Sequence, residues 1–135
     1  MPALAGHDVV GAALTAFVRR PGTSLVLSPL VLHELVHVIT DPRRFDPPVP
    51  MSEAVALAGG YLRRTNVTCV DATGTAMELA LDLLARHRLG RKRVFDALLA
   101  ATLLVNGVDT LITCNPDDFR MFDDLTVLDP RTDVL

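Results

Sequence analysis

Two long apolar stretches each carry a single carboxylate near the middle. Glu34 stands among Leu30, Val31, Leu35 and Val38, and Asp96 among Phe95, Leu99, Ala100 and Leu103. A buried, isolated carboxylate is costly, so each acid is expected to have a partner or a purpose. The plain partner is an arginine or lysine at a helix end, which leaves an ion pair and no chemistry. A third acidic spot follows the apolar run Leu111-Ile112-Thr113-Cys114, where Asn115, Asp117 and Asp118 lie just past a predicted strand. Open parallel sheets bind their ligands beyond the carboxyl ends of strands. The same three residues also suit a helix start, with Asn115 as cap and the acids complementing the helix dipole. Together the three spots can converge on one point. Hard oxygen donors from several elements suit Mg2+ or Mn2+ rather than zinc. Such an ion activates water and stabilises charge developing on a phosphate.

A basic run, Arg86-His87-Arg88-Leu89-Gly90-Arg91-Lys92-Arg93, comes just before Asp96. By charge alone it reads as a solvated loop. Beside a metal site, Arg91, Lys92 and Arg93 would instead hold a nucleic-acid backbone. A competing motif overlaps Glu34: His33-Glu34-Leu35-Val36-His37 fits H-E-x-x-H, the zinc-protease helix pattern, with both imidazoles on one helical face and Glu34 as base. That reading needs a third zinc ligand. Asp41-Pro42 ends the helix instead, His7 and His87 stand in unrelated contexts, and Asp96 is left without a role.

The elements that would position these residues alternate. A helix capped by Asp8 runs to Arg20 and stops at Pro21-Gly22. Leu25–Leu27 reads as a buried strand. Ser28-Pro29 caps a helix from Leu30 to Thr40 that is apolar almost all round and so predicted to lie inside the fold. A Pro-rich loop follows, then a helix opened by Ser52-Glu53 and ending near Arg64, and a strand at Val67–Val70. Thr73–His87 is an amphipathic helix with apolar Met77, Leu79, Ala80, Leu83 and Leu84. A second buried helix spans Val94–Val105, with Gly107 as its left-handed stop. Thr110–Cys114 is a strand, Asn115-Pro116 starts a short helix, and Leu125–Leu128 is a final strand. Strands alternating with helices imply a mainly parallel sheet with helices on both faces, an α/β fold.

The 135 residues suit one domain, and with half of them hydrophobic they can bury a sizeable core. The formal net charge of −3 excludes a basic nucleic-acid coat and makes any attraction to RNA local. Cys69 and Cys114 show no paired spacing, so both read as buried thiols of a reducing, cytoplasmic compartment. No apolar run is long enough to span a membrane, and the start lacks the order of a signal peptide.

The segments 25–45, 96–102 and 111–119 resemble, in order and at similar spacing, the PIN-domain ribonucleases of the VapC toxin type. The resemblance implies a three-layer α/β/α fold over a single domain, residues 1–135. It also implies endoribonuclease chemistry with Mg2+ or Mn2+, an RNA substrate, a homodimer and a cognate antitoxin. Glu34, Asp96 and Asp118 would be catalytic metal ligands, with Asn115 nearby. Family members usually begin with a strand carrying a further Asp. Here the chain opens where the family's first helix would be, and Asp8 precedes a helix rather than ending a strand. The resemblance therefore leaves a domain that binds RNA or antitoxin without cutting as the alternative.

Overall fold

The computed structural model describes residues 16, 17 and 19–135. Most of the helix expected from Asp8, and His7 with it, lies outside the described residues; residues 16, 17 and 19 are helical. The chain divides into two compact units, one ending at Cys69 and the other running Val70–Leu135.

In the first unit, β1 (Leu25–Leu27) pairs in parallel with β2 (Val67–Cys69), Leu25 opposite Val67. Helix α1 (Pro29–Ile39) starts where predicted: the Ser28 hydroxyl accepts from the Leu30 amide at 3.2 Å, and Pro29 takes the first helical position, where its missing N–H is not needed. At its end the Thr40 hydroxyl donates to the Val36 carbonyl at 2.7 Å. Buried Asp41 then binds both the backbone N–H and the guanidinium of Arg43. Those bonds hold its carboxyl below the usual range. Helix α2 (Met51–Leu62) completes the unit, and Ile39, Phe45 and Ala54 form its core.

One expectation fails here. α1 is not enclosed: Leu32 and Ile39 are its buried residues, while Leu30 is 52% and Val31 37% exposed. An all-apolar helix can hide only the stripe that has a neighbour, and composition does not say how many neighbours there are. Both cysteines are free, but they are exposed rather than buried.

In the second unit, Thr73 caps α3 (Gly74–Arg86) by accepting from the Ala76 amide at 3.2 Å. A single 3-10 turn over Arg91–Arg93 leads into α4 (Val94–Val105). Ala76 and Ala80 of α3 and Ala97, Ala100 and Ala101 of α4 are all but fully buried. With methyl groups at these positions the two backbones can pack closely. Leu83, Phe119, Phe122 and Leu125 fill the remaining core. Met77, expected on the apolar face of α3, is 45% exposed, and Phe95 at the start of α4 is 77% exposed. Gly107 ends α4 with φ 73°, the left-handed conformation that its spacing implied. Strands β3 (Thr110–Ile112) and β4 (Thr126–Leu128) pair in parallel, Leu111 opposite Val127. Leu111 and Val127 pack on the same core. All strand pairing is thus parallel, and among the described residues it forms two pairs, β1–β2 and β3–β4.

Candidate functional site

Because β3 and β4 run parallel, the loops leaving them emerge side by side. The Thr113 amide donates to the Leu128 carbonyl at 2.9 Å, extending the ladder one step past β3. Arg131, three residues past β4, donates to the Cys114 carbonyl at 2.7 Å and ties the loops together. Between them lies an open polar cavity of about 570 Å³, lined among others by Asn115, Asp118, Arg120, Asp129 and Arg131. It stands beyond the carboxyl ends of the strands, where parallel sheets take their ligands.

Asp118 closes the short 3-10 turn Pro116–Asp118, and its amide donates to the Asn115 carbonyl at 3.1 Å. Asn115 holds the capping position, but its side chain makes no capping bond and is exposed. Asp96 lies in the first turn of α4. Arg93, one helical turn earlier, joins the two acids: its Nη2 lies 3.1 Å from Asp118 Oδ1 and its Nη1 3.5 Å from Asp96 Oδ2. The three side chains are 25–35% exposed, neither sealed nor free in solvent. Arg93 is therefore an ion-pair partner of both acids, a role its place in the basic run did not suggest. Arg91 and Lys92 are exposed on the same 3-10 turn.

Glu34 belongs to the first unit and is exposed on α1, not buried as its apolar neighbours implied. His33 and His37 are exposed on the same helix. Among the described residues no three His, Cys, Asp or Glu side chains come together to hold an ion, so the H-E-x-x-H motif gains no third zinc ligand.

Whether Asp96 and Asp118 suit a divalent ion can be judged from their donors. Both are hard carboxylates, and both already share one cationic group. Mg2+ keeps several waters and commonly takes only one or two protein carboxylates, so the pair fits.

A further acid, which no motif marks, stands at the end of β4. Asp129 is 5% exposed; its Oδ1 accepts from the Arg131 amide and Nε at 2.9 Å each, and its Oδ2 from Arg131 Nη2 at 2.8 Å. Chiefly through the guanidinium bonds, then through the amide, its carboxyl is lowered to about 2. The available signal was the one used for Asn115: a polar residue immediately past a short apolar strand.

An acidic, cavity-forming strand end and a basic turn beside it, on parallel α/β architecture, match a known class. A PIN domain match covers residues 3–125, running through both compact units, and the chain belongs to the PIN domain family, whose fold is three-layered α/β/α. Within that family it is VapC-like. It resembles Ribonuclease VapC24 from two strains of Mycobacterium tuberculosis, each 31% identical over 126 residues, covering 93% of this chain and 85% of the relative.

Proposed function

We propose that this protein is a metal-dependent endoribonuclease of the VapC toxin type, hydrolysing phosphodiester bonds in RNA. The observation that carries the reading is the meeting of Asp96 and Asp118 on one cationic group beside the cavity at the end of β3. The family and the ribonuclease relatives support it. Asp96 and Asp118 would hold Mg2+ or Mn2+, and residues 1–135 would make up one domain. When bound, the ion supplies an activated water and offsets charge that develops on the phosphate. Asn115, at the cavity wall, offers an amide to the substrate. Arg91, Lys92 and Arg93 attract the RNA backbone, and their effect is local because the chain as a whole is acidic.

The VapC resemblance also supports a homodimer, a cognate antitoxin and action in the cytoplasm. No helix among the described residues is long and apolar enough to cross a membrane.

Single-stranded RNA incubated with Mn2+ or Mg2+, with and without EDTA, tests the reading. Cleavage should require the ion and fall by more than about 100-fold in Asp96→Asn, since removing even outer partners of metal ligands costs roughly 10–100-fold. Cleavage that survives both EDTA and Asp96→Asn refutes it. One observation favours a second reading, a PIN domain that binds RNA or antitoxin without cutting: Arg93 already pairs with both Asp96 and Asp118. Folded protein that binds RNA but never cleaves it with either ion would select that alternative.

A further inference from the structure

Arg93 pairs with the same two carboxylates that a divalent ion would need. Its backbone is set by the 3-10 turn, where its amide donates to the Gly90 carbonyl at 3.0 Å. From there the guanidinium reaches Asp118 at 3.1 Å and Asp96 at 3.5 Å. The second distance is beyond a normal hydrogen bond, so that contact is Coulombic. Both acids are partly open to water, and so is the guanidinium.

Arg131 provides an internal standard for a pair that does not exchange. It binds Asp129 through amide, Nε and Nη2, anchors to the Cys114 carbonyl as well, and its acid is buried. Arg93 lacks that chelate: the two contacts it makes with its acids are single and reach different elements. A cation held this way screens two carboxylates from each other and keeps them aimed at one point, yet a divalent ion, with twice the charge, can displace it.

We infer that Arg93 is a positioning residue that holds Asp96 and Asp118 together in the metal-free protein and gives way when the ion binds. The inference rests on the metal-nuclease reading above. It explains how two acids on separate elements stay converged without an ion, and it assigns the protein a built-in competitor that sets how much free metal is needed.

The test is Mn2+ binding by calorimetry on the full chain, for wild type, Arg93→Gln, Arg93→Lys, Asp96→Asn and Asp118→Asn, with thermal melts of each with and without Mn2+. A guanidinium this close to two carboxylates competes by charge with any cation they could bind. Arg93→Gln should therefore bind Mn2+ about tenfold or more tightly than wild type, while its metal-free Tm falls and its Mn2+-induced rise in Tm grows. Arg93→Lys, a smaller disturbance to the fold, should fall between the two. A merely structural brace would give weaker or unchanged Mn2+ binding in both Arg93 variants, and that result overturns the inference. Loss of Mn2+ binding in Asp96→Asn and Asp118→Asn reports on the metal reading separately. If those two variants bind like wild type, the ion sits elsewhere and both readings fall. No Mn2+ binding by wild type or Arg93→Gln overturns both as well.

Discussion

The carboxyl ends of β3 and β4 lie side by side, and each presents an aspartate bound to an arginine. At the end of β4, Asp129 is buried and its arginine is two residues away, close enough to offer backbone and side chain at once. At the end of β3, Asp118 is 33% exposed and its arginine arrives from a different element, sharing itself with Asp96. The local pair is tightly held: Asp129 accepts three hydrogen bonds from Arg131 and its pKa lies near 2. The non-local one leaves carboxylate oxygens with accepting capacity, open to water and next to a basic turn. Asp41 of the first unit, buried and bound to Arg43 two residues on, repeats the pattern of Asp129. An aspartate chelated by its own loop ties that loop down. One that borrows a distant arginine is available for chemistry.

The largest effect that would break this comparison is a swap of roles under the same substitution. Asp118→Asn should lower metal-dependent RNA cleavage by more than about 100-fold, as for Asp96→Asn, and change the melting temperature little. Asp129→Asn should do the reverse, lowering the melting temperature while the folded fraction keeps most of its cleavage. Melting curves and cleavage rates on the two variants check this. Equal losses of activity with equal losses of stability would show that the two ends are one structural unit.

The next effect is on acid stability, and its sign follows from the shift at Asp129. A carboxyl whose folded pKa lies near 2, below the usual 3.8, contributes stability that is complete above about pH 4 and is lost as pH falls toward 2. Wild type should therefore lose melting temperature steeply between pH 4 and pH 2, and Asp129→Asn should show a shallower slope there from a lower starting point. Identical slopes would mean that Arg131 does not hold Asp129 in solution as it does in the structure.

Much of the frame was legible because local rules decide it. Ser28-Pro29, Thr73 and Gly107 mark helix ends by hydrogen-bonding and backbone geometry that any context would require, and Val94–Val105 carries the boundaries its pattern implied. β1 likewise fell on Leu25–Leu27. The acids at Asp96 and Asp118 stood out by being in the wrong company or at the right strand end. Burial was less legible. Leu30, Val31 and Phe95 are exposed although their helices are apolar all round, since burial depends on neighbours that hydropathy does not name. Glu34 is exposed for the same reason, so its carboxylate bears no burial cost on α1. The ion pairs of Arg93 with Asp96 and Asp118 were not legible, because a charge run does not say which member reaches an acid. Asp129 and Arg131 were missed because a chelating pair two residues apart looks like any polar tail.

A smaller effect belongs to the exposed part of the basic turn. Arg91 and Lys92 are exposed, unlike Arg93, so each should touch RNA only through phosphate. Arg91→Ala should weaken binding of an uncleaved RNA and flatten the logarithmic salt dependence by about 0.7, the value for one phosphate contact on a single strand, while leaving Mn2+ affinity unchanged. Fluorescence anisotropy across a salt series reads the slope. A slope identical to wild type would return this turn to the solvated loop that its charge alone suggests.

The smallest effect is expected at the motif that looks most like a catalyst. His33 and His37 lie one turn apart on an exposed stretch of α1 with Glu34 between them, yet no further His, Cys, Asp or Glu side chain joins them among the described residues. Zinc sites of the protease kind need three protein ligands, and two imidazoles on one helix hold the ion weakly. The carboxylate pair in the second unit is the better home for a hard divalent ion, which prefers oxygen. Replacing both histidines by alanine should therefore change stability by no more than about 0.5 kcal/mol per site, as exposed positions do, apart from a few tenths where His37 complements the end of the helix dipole. Elemental analysis of wild type and the double variant, with Mn2+-dependent RNA cleavage on the same samples, gives the readout. Unchanged metal content and unchanged cleavage are expected. Zinc that copurifies with wild type and disappears from the double variant would move the chemistry to the first unit and leave the Asp96–Arg93–Asp118 cluster as a brace.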